Sequence, residues 1–321
     1  MVRVVVAAIS FLIGPSMKYS VVIPTLNRPK DLVKAVRSVT LQEPLPSQLI
    51  IVDQSPTNTA ESDIFEICSE YPSIELLYLH ELGIKSLPAA KQHSLSWVTS
   101  DIVCFFDDDI ELEPDFIKWQ IDVFSNNTHI VGCCGIEMNP KFRSNVFLSV
   151  FHFFHKGIFH DRRIGLTKRY PEVMPTLIPS DKISGGFSSW RTEVFSRVSF
   201  DLHNNLHATE DMDFSSRVAS VYGGEMALAI CTKSRAWHHY ALSGRMNLEL
   251  KQQRKIREFV IYYRQRRHWP TATASFLWLM LGFFLETCFL MVRYRSPSTF
   301  GGFWFGLVAG FKHPIRPVAK F

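Results

Sequence analysis

The segment Asp101-Ile-Val-Cys-Phe-Phe-Asp-Asp-Asp109 decides how the rest of the chain is interpreted. Five consecutive apolar residues, Ile102 to Phe106, are typical of a strand buried on both faces of a sheet. Three adjacent carboxylates follow, and they repel one another unless a cation compensates their charge. Hard oxygen ligands favour Mg²⁺ or Mn²⁺. On this segment alone, a solvated acidic turn remains an equal alternative.

The same alternation of strand and helix runs outward from this segment. Apolar runs predict strands at Ser20–Pro24, Gln48–Asp53 and Ile74–Leu79 before it, and at His129–Ile136 and Met226–Cys231 after it. Helices are expected at Pro29–Leu41, Glu61–Tyr71, Ser86–Thr99 and Glu210–Tyr222. Short buried strands separated by helices predict an α/β fold: a Rossmann-like, mostly parallel sheet with helices on both faces.

Polar groups follow three of these strands. The loop Thr25–Arg28 follows the first strand, Asp53 ends the second, and Asp107–Asp109 end the fourth. In open α/β sheets ligands bind beyond the carboxyl ends of the strands. Three such features at one edge predict a ligand site there, and they favour the metal interpretation of the three aspartates.

Composition narrows the class of protein. Of 321 residues, 46% are apolar and 20% charged, as in a globular protein, and the net charge of +5 is too small for a dedicated nucleic-acid binder. The six cysteines have no C-x-x-C spacing, so buried reduced thiols are expected rather than disulfides or a zinc site. Residues 1–17 are expected to be an N-terminal extension.

The last quarter of the chain differs in character. Seven cations crowd residues 251–267 with Glu258 as the only acid, ahead of the apolar stretches Thr271–Val292 and Phe300–Phe311. Basic residues beside apolar segments suit anionic headgroups, while Glu286 would be costly inside lipid. Residues 248–321 are therefore expected to form apolar or amphipathic helices at a membrane surface, with a helix simply packed on the domain as the alternative.

Four motifs, taken together and in order, resemble the inverting family 2 glycosyltransferases of the GT-A fold. They are SVVIPTLNR from Ser20, IIVDQS from Ile50, SDIVCFFDDDIELEPDF from Ser100 and TEDMDFSSRV from Thr209. The resemblance runs from about Lys18 to His239. It implies a GT-A domain at 18–247, with a nucleotide half at 18–110 and an acceptor half at 111–247.

The resemblance implies roles on the donor side. Asp53 would accept a hydrogen bond from the base, and Asp109 would bind the metal, Mn²⁺ or Mg²⁺, with Asp107 and His238; His239 is the alternative to His238. Lys91 stands where the family often has arginine, so it keeps the charge but loses the planar fork for phosphate. The residues expected to contact the nucleotide-sugar are Pro24, Thr25, Asn27, Arg28, Asp53, Lys91, Asp107 and Asp108.

On the acceptor side, the resemblance implies that Asp211 is the general base and Glu210 a positioning neighbour. Carboxylates at a helix N-terminus that complement the helix dipole are the alternative for this pair. The loop Gly185-Gly186-Phe187 with Trp190 resembles the family's acceptor-side loop, although Trp190 is equally compatible with the core.

The expected function is a metal-dependent, inverting transfer of sugar from a nucleotide-diphosphate donor, UDP- or dTDP-linked, to a glycan or lipid-linked acceptor. It would serve cell-surface glycan synthesis at the cytoplasmic face of the cell membrane, without a nucleic-acid partner. A catalytically silent, membrane-bound protein of the same fold is the alternative. A dehydrogenase is disfavoured because no G-x-G-x-x-G follows an early strand.

Overall fold

The structure is a computed structural model that describes residues 17–138, 145–163, 166, 175–204, 206–240 and 247–317. The expected N-terminal extension lies outside these residues, except for Met17. The strands are β1 (Tyr19–Thr25), β2 (Gln48–Asp53), β3 (Glu75–His80), β4 (Ile102–Phe106), β5 (Ile110–Leu112), β6 (Gly132–Glu137), β7 (Leu177–Pro179), β8 (Phe187–Arg191) and β9 (Leu228–His238). The helices are α1 (Pro29–Thr40), α2 (Glu61–Ser69), α3 (Leu87–Ser94), α4 (Phe116–Asn126), α5 (Asn145–Phe154), α6 (Glu210–Tyr222), α7 (Leu248–Arg266), α8 (Ala272–Tyr294) and α9 (Ser298–Lys312).

The strands form one sheet in the order β3-β2-β1-β4-β8-β6-β9-β5, with β7 also paired to β9. Strands β1 to β4 are parallel, as predicted. Beyond β4 the sheet is mixed, because β8 runs antiparallel to both β4 and β6, and β5 and β7 run antiparallel to β9. The expectation of a mostly parallel sheet therefore holds only for the first half of the fold.

Both faces of the parallel half are buried, which confirms the predicted α/β layers. Along β1, Val21 and Ile23 join a core cluster with α1 and α2, whereas Val22 joins a second cluster on the opposite face. Successive side chains of a strand point to opposite faces, so a continuous apolar run can supply both layers. Helix α1 begins with Pro29 in its first turn, where the missing amide hydrogen costs nothing.

Helix α7 is fixed along α6 by polar contacts as well as by packing. The Tyr262 hydroxyl lies 3.0 Å from the Ser216 hydroxyl, and Arg266 donates to Asp213 at 2.8 Å. Both ends of the Arg266–Asp213 pair are buried, so neither charge can be removed alone without leaving the other unpaired. The first of the C-terminal helices is therefore built onto the α/β domain.

Three glycines spaced four residues apart let α9 approach α7 closely. A Cβ atom at Gly302 would lie 2.4 Å from the Glu249 carbonyl oxygen, and one at Gly306 would lie 2.6 Å from the Gln253 carbonyl oxygen. At Gly310 the nearest atom would be Val260 Cβ, at 2.6 Å. Small residues at this spacing allow two helix backbones to pack in contact.

Replacing Gly302 by alanine is expected to destabilise the protein by about 1–3 kcal/mol, because the new methyl group meets rigid helix backbone. The matched control is Gly301→Ala on the same helix, where a Cβ atom has 3.6 Å to its nearest neighbour. That control should be neutral or stabilising by up to about 1 kcal/mol through helix propensity. Urea unfolding of both variants measures the difference, and equal stabilities would refute the close packing of α9 on α7.

Helix α8 is long and apolar enough to cross a membrane by length and composition, and a third of that apolar window (33%) is buried against the protein. Much of the remainder is exposed, with large apolar side chains recurring every three or four residues at Leu277, Leu281, Leu285, Phe289 and Val292. Glu286 pairs with Lys255 on α7, so its charge is compensated on the protein side.

Candidate active site

The three aspartates lie at the carboxyl end of β4, in the middle of the sheet. The Asp107 amide donates to the Gly186 carbonyl at 2.8 Å, which extends the antiparallel pairing by one residue past the end of β4 and before the start of β8. Phe105 and Phe106 immediately before them are about 1% exposed. The carboxylates are thus carried on a rigid strand end rather than on a solvated turn.

Asp108 connects this strand end to the loop after β1. One of its oxygens accepts from the Thr25 hydroxyl at 2.7 Å, and the other accepts from Arg28 at 2.9 Å. Burial raises the pKa of Asp108 to about 6, although Thr25 and Arg28 oppose the shift. Both oxygens of Asp108 thus hold the Thr25–Arg28 loop, and the same residue lines the cavity beside that loop.

Asp107, Asp109 and His238 form a group with the geometry of a metal site. Each offers one ligand atom, and these atoms lie within 4.8 Å of one another. The antiparallel pairing of β5 with β9 places His238 opposite Ile110 and therefore next to Asp109, whose carboxylate is 3.1 Å from His238 Nε2. Two carboxylates and an imidazole suit Mn²⁺, and the oxygens also suit Mg²⁺, so these residues fit the implied cation.

Protonation of His238 depends on the same carboxylate. Burial alone would lower its pKa, but the hydrogen bond and the charge of Asp109 raise it above the ordinary value. Cation binding therefore competes with protonation of the imidazole. The neighbouring His239 points elsewhere and lies 2.7 Å from Glu111, so the geometry favours His238 between the two histidines.

Two cavities open beside the aspartates. The first, of about 440 Å³, is lined by six residues that we expected to contact the donor: Pro24, Thr25, Asn27, Arg28, Asp107 and Asp108. Its lining also includes Gln54, Lys85, His207 and Arg254. The second, of about 190 Å³, is lined by Thr25, Asn27 and Asp53. Asp53 is held by Tyr78, whose hydroxyl donates at 2.6 Å, and by the Ser55 amide at 2.9 Å.

The expected contact of Lys91 with the donor is corrected by the structure. The Lys91 ammonium group is almost fully buried and donates to Glu210 at 2.8 Å and to the Gly185 carbonyl at 2.9 Å. Burial raises the pKa of Glu210, against the pull of the lysine charge. Lys85, which lines the larger cavity, is the lysine beside the donor residues.

Asp211, the expected base, begins α6 beside Glu210 and remains partly exposed. One of its oxygens accepts from the Met212 amide at 2.7 Å, and the other pairs with Arg163. Arg163 is in turn held by Asp161 through three hydrogen bonds of 2.6 to 3.0 Å. The sequence did not single out Arg163.

The paired glycines lie between the two groups of carboxylates. A Cβ atom at Gly185 would lie 2.7 Å from a Glu210 oxygen, and one at Gly186 would lie 2.4 Å from an Asp107 oxygen. The residues that follow these glycines in the sequence do not face the carboxylates. Phe187 and Trp190 are buried in the core, and the Trp190 ring packs on Phe214 with 4.9 Å between the ring centres. The expected acceptor contacts of Phe187 and Trp190 are therefore corrected, because neither ring is free to stack on a sugar.

Gly186→Ala is expected to weaken Mn²⁺ binding by roughly 10- to 100-fold, as changes next to metal ligands commonly do. The new methyl group would force the Asp107 carboxylate out of its present position. Titration of Mn²⁺ followed by its electron paramagnetic resonance signal measures the affinity. Gly83→Ala, where a Cβ atom meets nothing within 4 Å, is the control. Unchanged Mn²⁺ affinity in Gly186→Ala would exclude Asp107 from the site.

A second group that the sequence did not assign supports the start of α6. Glu258 on α7 is fully buried and accepts from the backbone amides of His207, Ala208 and Thr209 at 2.9, 2.6 and 3.1 Å. These amides directly precede Glu210 and Asp211. The sequence signal available for Glu258 was its position as the only acidic residue among the seven cations of residues 251–267.

Comparison with known proteins agrees with this geometry. Residues 20–177 match the profile of the family described as Glycosyl transferase family 2. A sequence search of curated proteins finds no match. Among solved structures, the chain is similar to the mannosyltransferase PcManGT from Pyrobaculum calidifontis, in complex with GDP-Man and Mn²⁺, at 13% identity and a TM-score of 0.58, covering 92% of this chain and 86% of that one.

A second similar structure is GalNAc-T7 with UDP, GalNAc and Mn²⁺, at 14% identity and a TM-score of 0.55, covering 88% of this chain and 58% of that one. At such identities the likeness shows the shared GT-A fold. The family profile covers the donor half of the site and ends before α6. Residues 20–177 form a glycosyl transferase family 2 domain, and the chain is a glycosyltransferase of the GT-A fold.

Proposed function

We propose that this glycosyltransferase moves a sugar from a nucleotide-diphosphate donor to a hydroxyl group of a glycan or lipid-linked acceptor, with inversion at the anomeric carbon. The observation that carries the proposal is the cluster of Asp107, Asp109 and His238 beside the cavity formed by the β1 loop. Asp53, with both oxygens fixed by Tyr78 and Ser55, is paired in register with Thr25 at the start of that loop.

Residues of this chain account for the removal of the acceptor proton and for the orientation of the group that removes it. Asp211 takes the proton of the acceptor hydroxyl while that oxygen forms its bond to the anomeric carbon. The bond from this carbon to the diphosphate oxygen breaks on the opposite side, so one displacement inverts the configuration. Arg163 and the Met212 amide hold the Asp211 carboxylate in place. A bound Mn²⁺ or Mg²⁺ would stabilise the charge on the diphosphate leaving group.

The proposal is tested by supplying the purified chain with UDP-, GDP- and dTDP-sugars and measuring release of the nucleoside diphosphate with and without Mn²⁺. Metal-dependent release from one donor class is the expected result. Binding of a donor with no release, in the presence of membrane extract as acceptor source, would favour the alternative of a catalytically silent binding protein.

We also propose that the chain works at the cytoplasmic face of the cell membrane, in cell-surface glycan synthesis. The support is the exposed apolar face of α8, extended on α9 by Trp304, Phe305, Val308 and Phe311. Seven cations lie in the preceding run at residues 251–267. An apolar face flanked by cations is suited to lie in the interface of an anionic bilayer.

Flotation with phosphatidylglycerol vesicles tests this location. The wild-type chain is expected to float with these vesicles, and less with phosphatidylcholine vesicles. Replacing Leu281 and Leu285 by glutamate should abolish flotation, since both side chains are exposed on α8. Leu41→Glu, at a still more exposed leucine after α1, is the control and should float as the wild type does. Flotation of the double variant at the wild-type level would refute the proposed membrane face.

A further inference from the structure

A cavity of about 890 Å³ lies between the metal-ligand cluster and the C-terminal helices. Asp109 and Tyr240 line it on the side of the sheet, and α7 and α8 line it on the other. Tyr240 stacks on the ring of His238 at 4.0 Å, so this wall is continuous with the cluster itself. A molecule in the cavity would therefore reach the reacting centre from the side of α7 and α8.

The cationic end of the cavity is formed by α7. Lys255 is paired with Glu286, and Arg28 is paired with Asp108, so these two positive charges are already compensated. Lys251 and Arg254 are exposed, and their side chains have no hydrogen bond or ion pair within the part of the chain that the structure describes. They are three residues apart and thus share one face of the helix. Two uncompensated cations face the cavity.

Arg254 also lines the larger donor cavity, next to Asp107 and Asp108. It therefore stands at the boundary between the donor side and the α7–α8 side. A planar guanidinium group can bind two oxygens of a phosphate at once, and a neighbouring lysine adds a point charge. The pair Arg254 and Lys251 has the chemistry of a phosphate-binding site.

Towards the end of α8 the lining of the cavity is apolar. Leu248, Leu290 and Tyr294 line it, and Tyr294 is also exposed to the outside at the end of α8. Phe289 and Val292 continue the apolar surface along the same helix. A chain leaving the cavity at this end would pass directly onto the face that we propose to meet the membrane.

We propose that this cavity binds the head of a lipid-linked acceptor, with a phosphate group on Lys251 and Arg254 and the hydrocarbon chain along Leu290 and Tyr294. The inference deepens the proposed function and rests on it. It selects a phosphate-bearing amphiphile from the wider class of glycan and lipid-linked acceptors. The amphiphile's head would be held beside the donor.

The test measures binding of decyl phosphate, decanol and inorganic phosphate to the full chain in mild detergent by calorimetry. Decyl phosphate is expected to bind at least about tenfold more tightly than either decanol or phosphate, because only it uses both ends of the cavity. Lys251→Ala and Arg254→Ala should each weaken it by about tenfold, as loss of one charge-assisted hydrogen bond does. Lys118→Ala, at an exposed lysine on α4, is the control and should leave the affinity for decyl phosphate unchanged.

Equal affinity for decyl phosphate and decanol would overturn the inference, since only the apolar surface would then be used. Equal affinity for decyl phosphate and inorganic phosphate would overturn it too, as would full affinity in Lys251→Ala and Arg254→Ala. Nucleotide-sugar turnover measured on the same preparations keeps the two proposals separate. Turnover without binding of decyl phosphate refutes the acceptor site alone. Binding of decyl phosphate without any turnover refutes the proposed function.

Discussion

Asp211→Asn is expected to lower sugar transfer by about 10²- to 10⁴-fold, the usual contribution of a general base. Asparagine has nearly the same shape as aspartate and keeps one oxygen for Arg163, which stays paired with Asp161, while only the Met212 amide loses its acceptor. It cannot take up the proton of the acceptor hydroxyl. Steady-state transfer at saturating donor measures the loss, and metal-dependent donor binding should remain.

Asp213→Asn separates this effect from general damage to α6. Asp213 lies on the same helix two residues later, but it is buried and compensates both Arg217 and Arg266. Its loss should lower the melting temperature, because two guanidinium groups lose their counter-charge. Asp211→Asn should leave the melting temperature nearly unchanged. Full transfer activity in Asp211→Asn would show that another group takes the proton.

Asp109→Asn is expected to reduce metal-dependent activity by roughly 10²- to 10³-fold. Stabilisation of the leaving group by a cation contributes several kcal/mol, and each 1.36 kcal/mol corresponds to about a factor of ten in rate. Asp109 carries the closest contact of the cluster, at 3.1 Å to His238. The Mn²⁺ concentration needed for half-maximal activity should rise at the same time.

Glu111→Gln is the control for this variant. Glu111 lies two residues further along the chain and pairs with His239 instead of His238. It should keep the wild-type dependence on Mn²⁺. If both variants lost activity equally, the loss would reflect the local charge rather than a metal ligand. If neither did, Asp109 would have no part in binding the cation.

The parallel half of the fold was predictable because each of its strands is a continuous apolar run between helices. Strands β5 and β7 have only three residues each, and β8 reads Phe-Ser-Ser-Trp-Arg, so periodicity gave no signal for them. Consequently the three antiparallel strands β5, β7 and β8 were not foreseen. The position of β8 also explains why Phe187 and Trp190 are core residues: their strand is flanked by β4 and β6.

The donor edge of the site could be predicted because its residues follow strand ends, and strand ends in a parallel sheet meet at one edge. Contacts between segments that are far apart in the sequence could not be predicted. Arg163 reaches Asp211, and Glu258 reaches the turn before it, only through the tertiary packing. Likewise, the sequence left His239 open as the alternative to His238, and the pairing of β9 with β5 turns His238 towards Asp109.

The most direct test of the account is calorimetric titration of the wild-type chain with UDP, GDP and dTDP, each with and without Mn²⁺. One of the nucleotides is expected to bind in the presence of Mn²⁺ and to lose most of its affinity when the cation is removed or when Asp109 is replaced. Binding of none of the three with Mn²⁺ present, or binding that is indifferent to both the cation and Asp109, would contradict a metal-dependent nucleotide-sugar site.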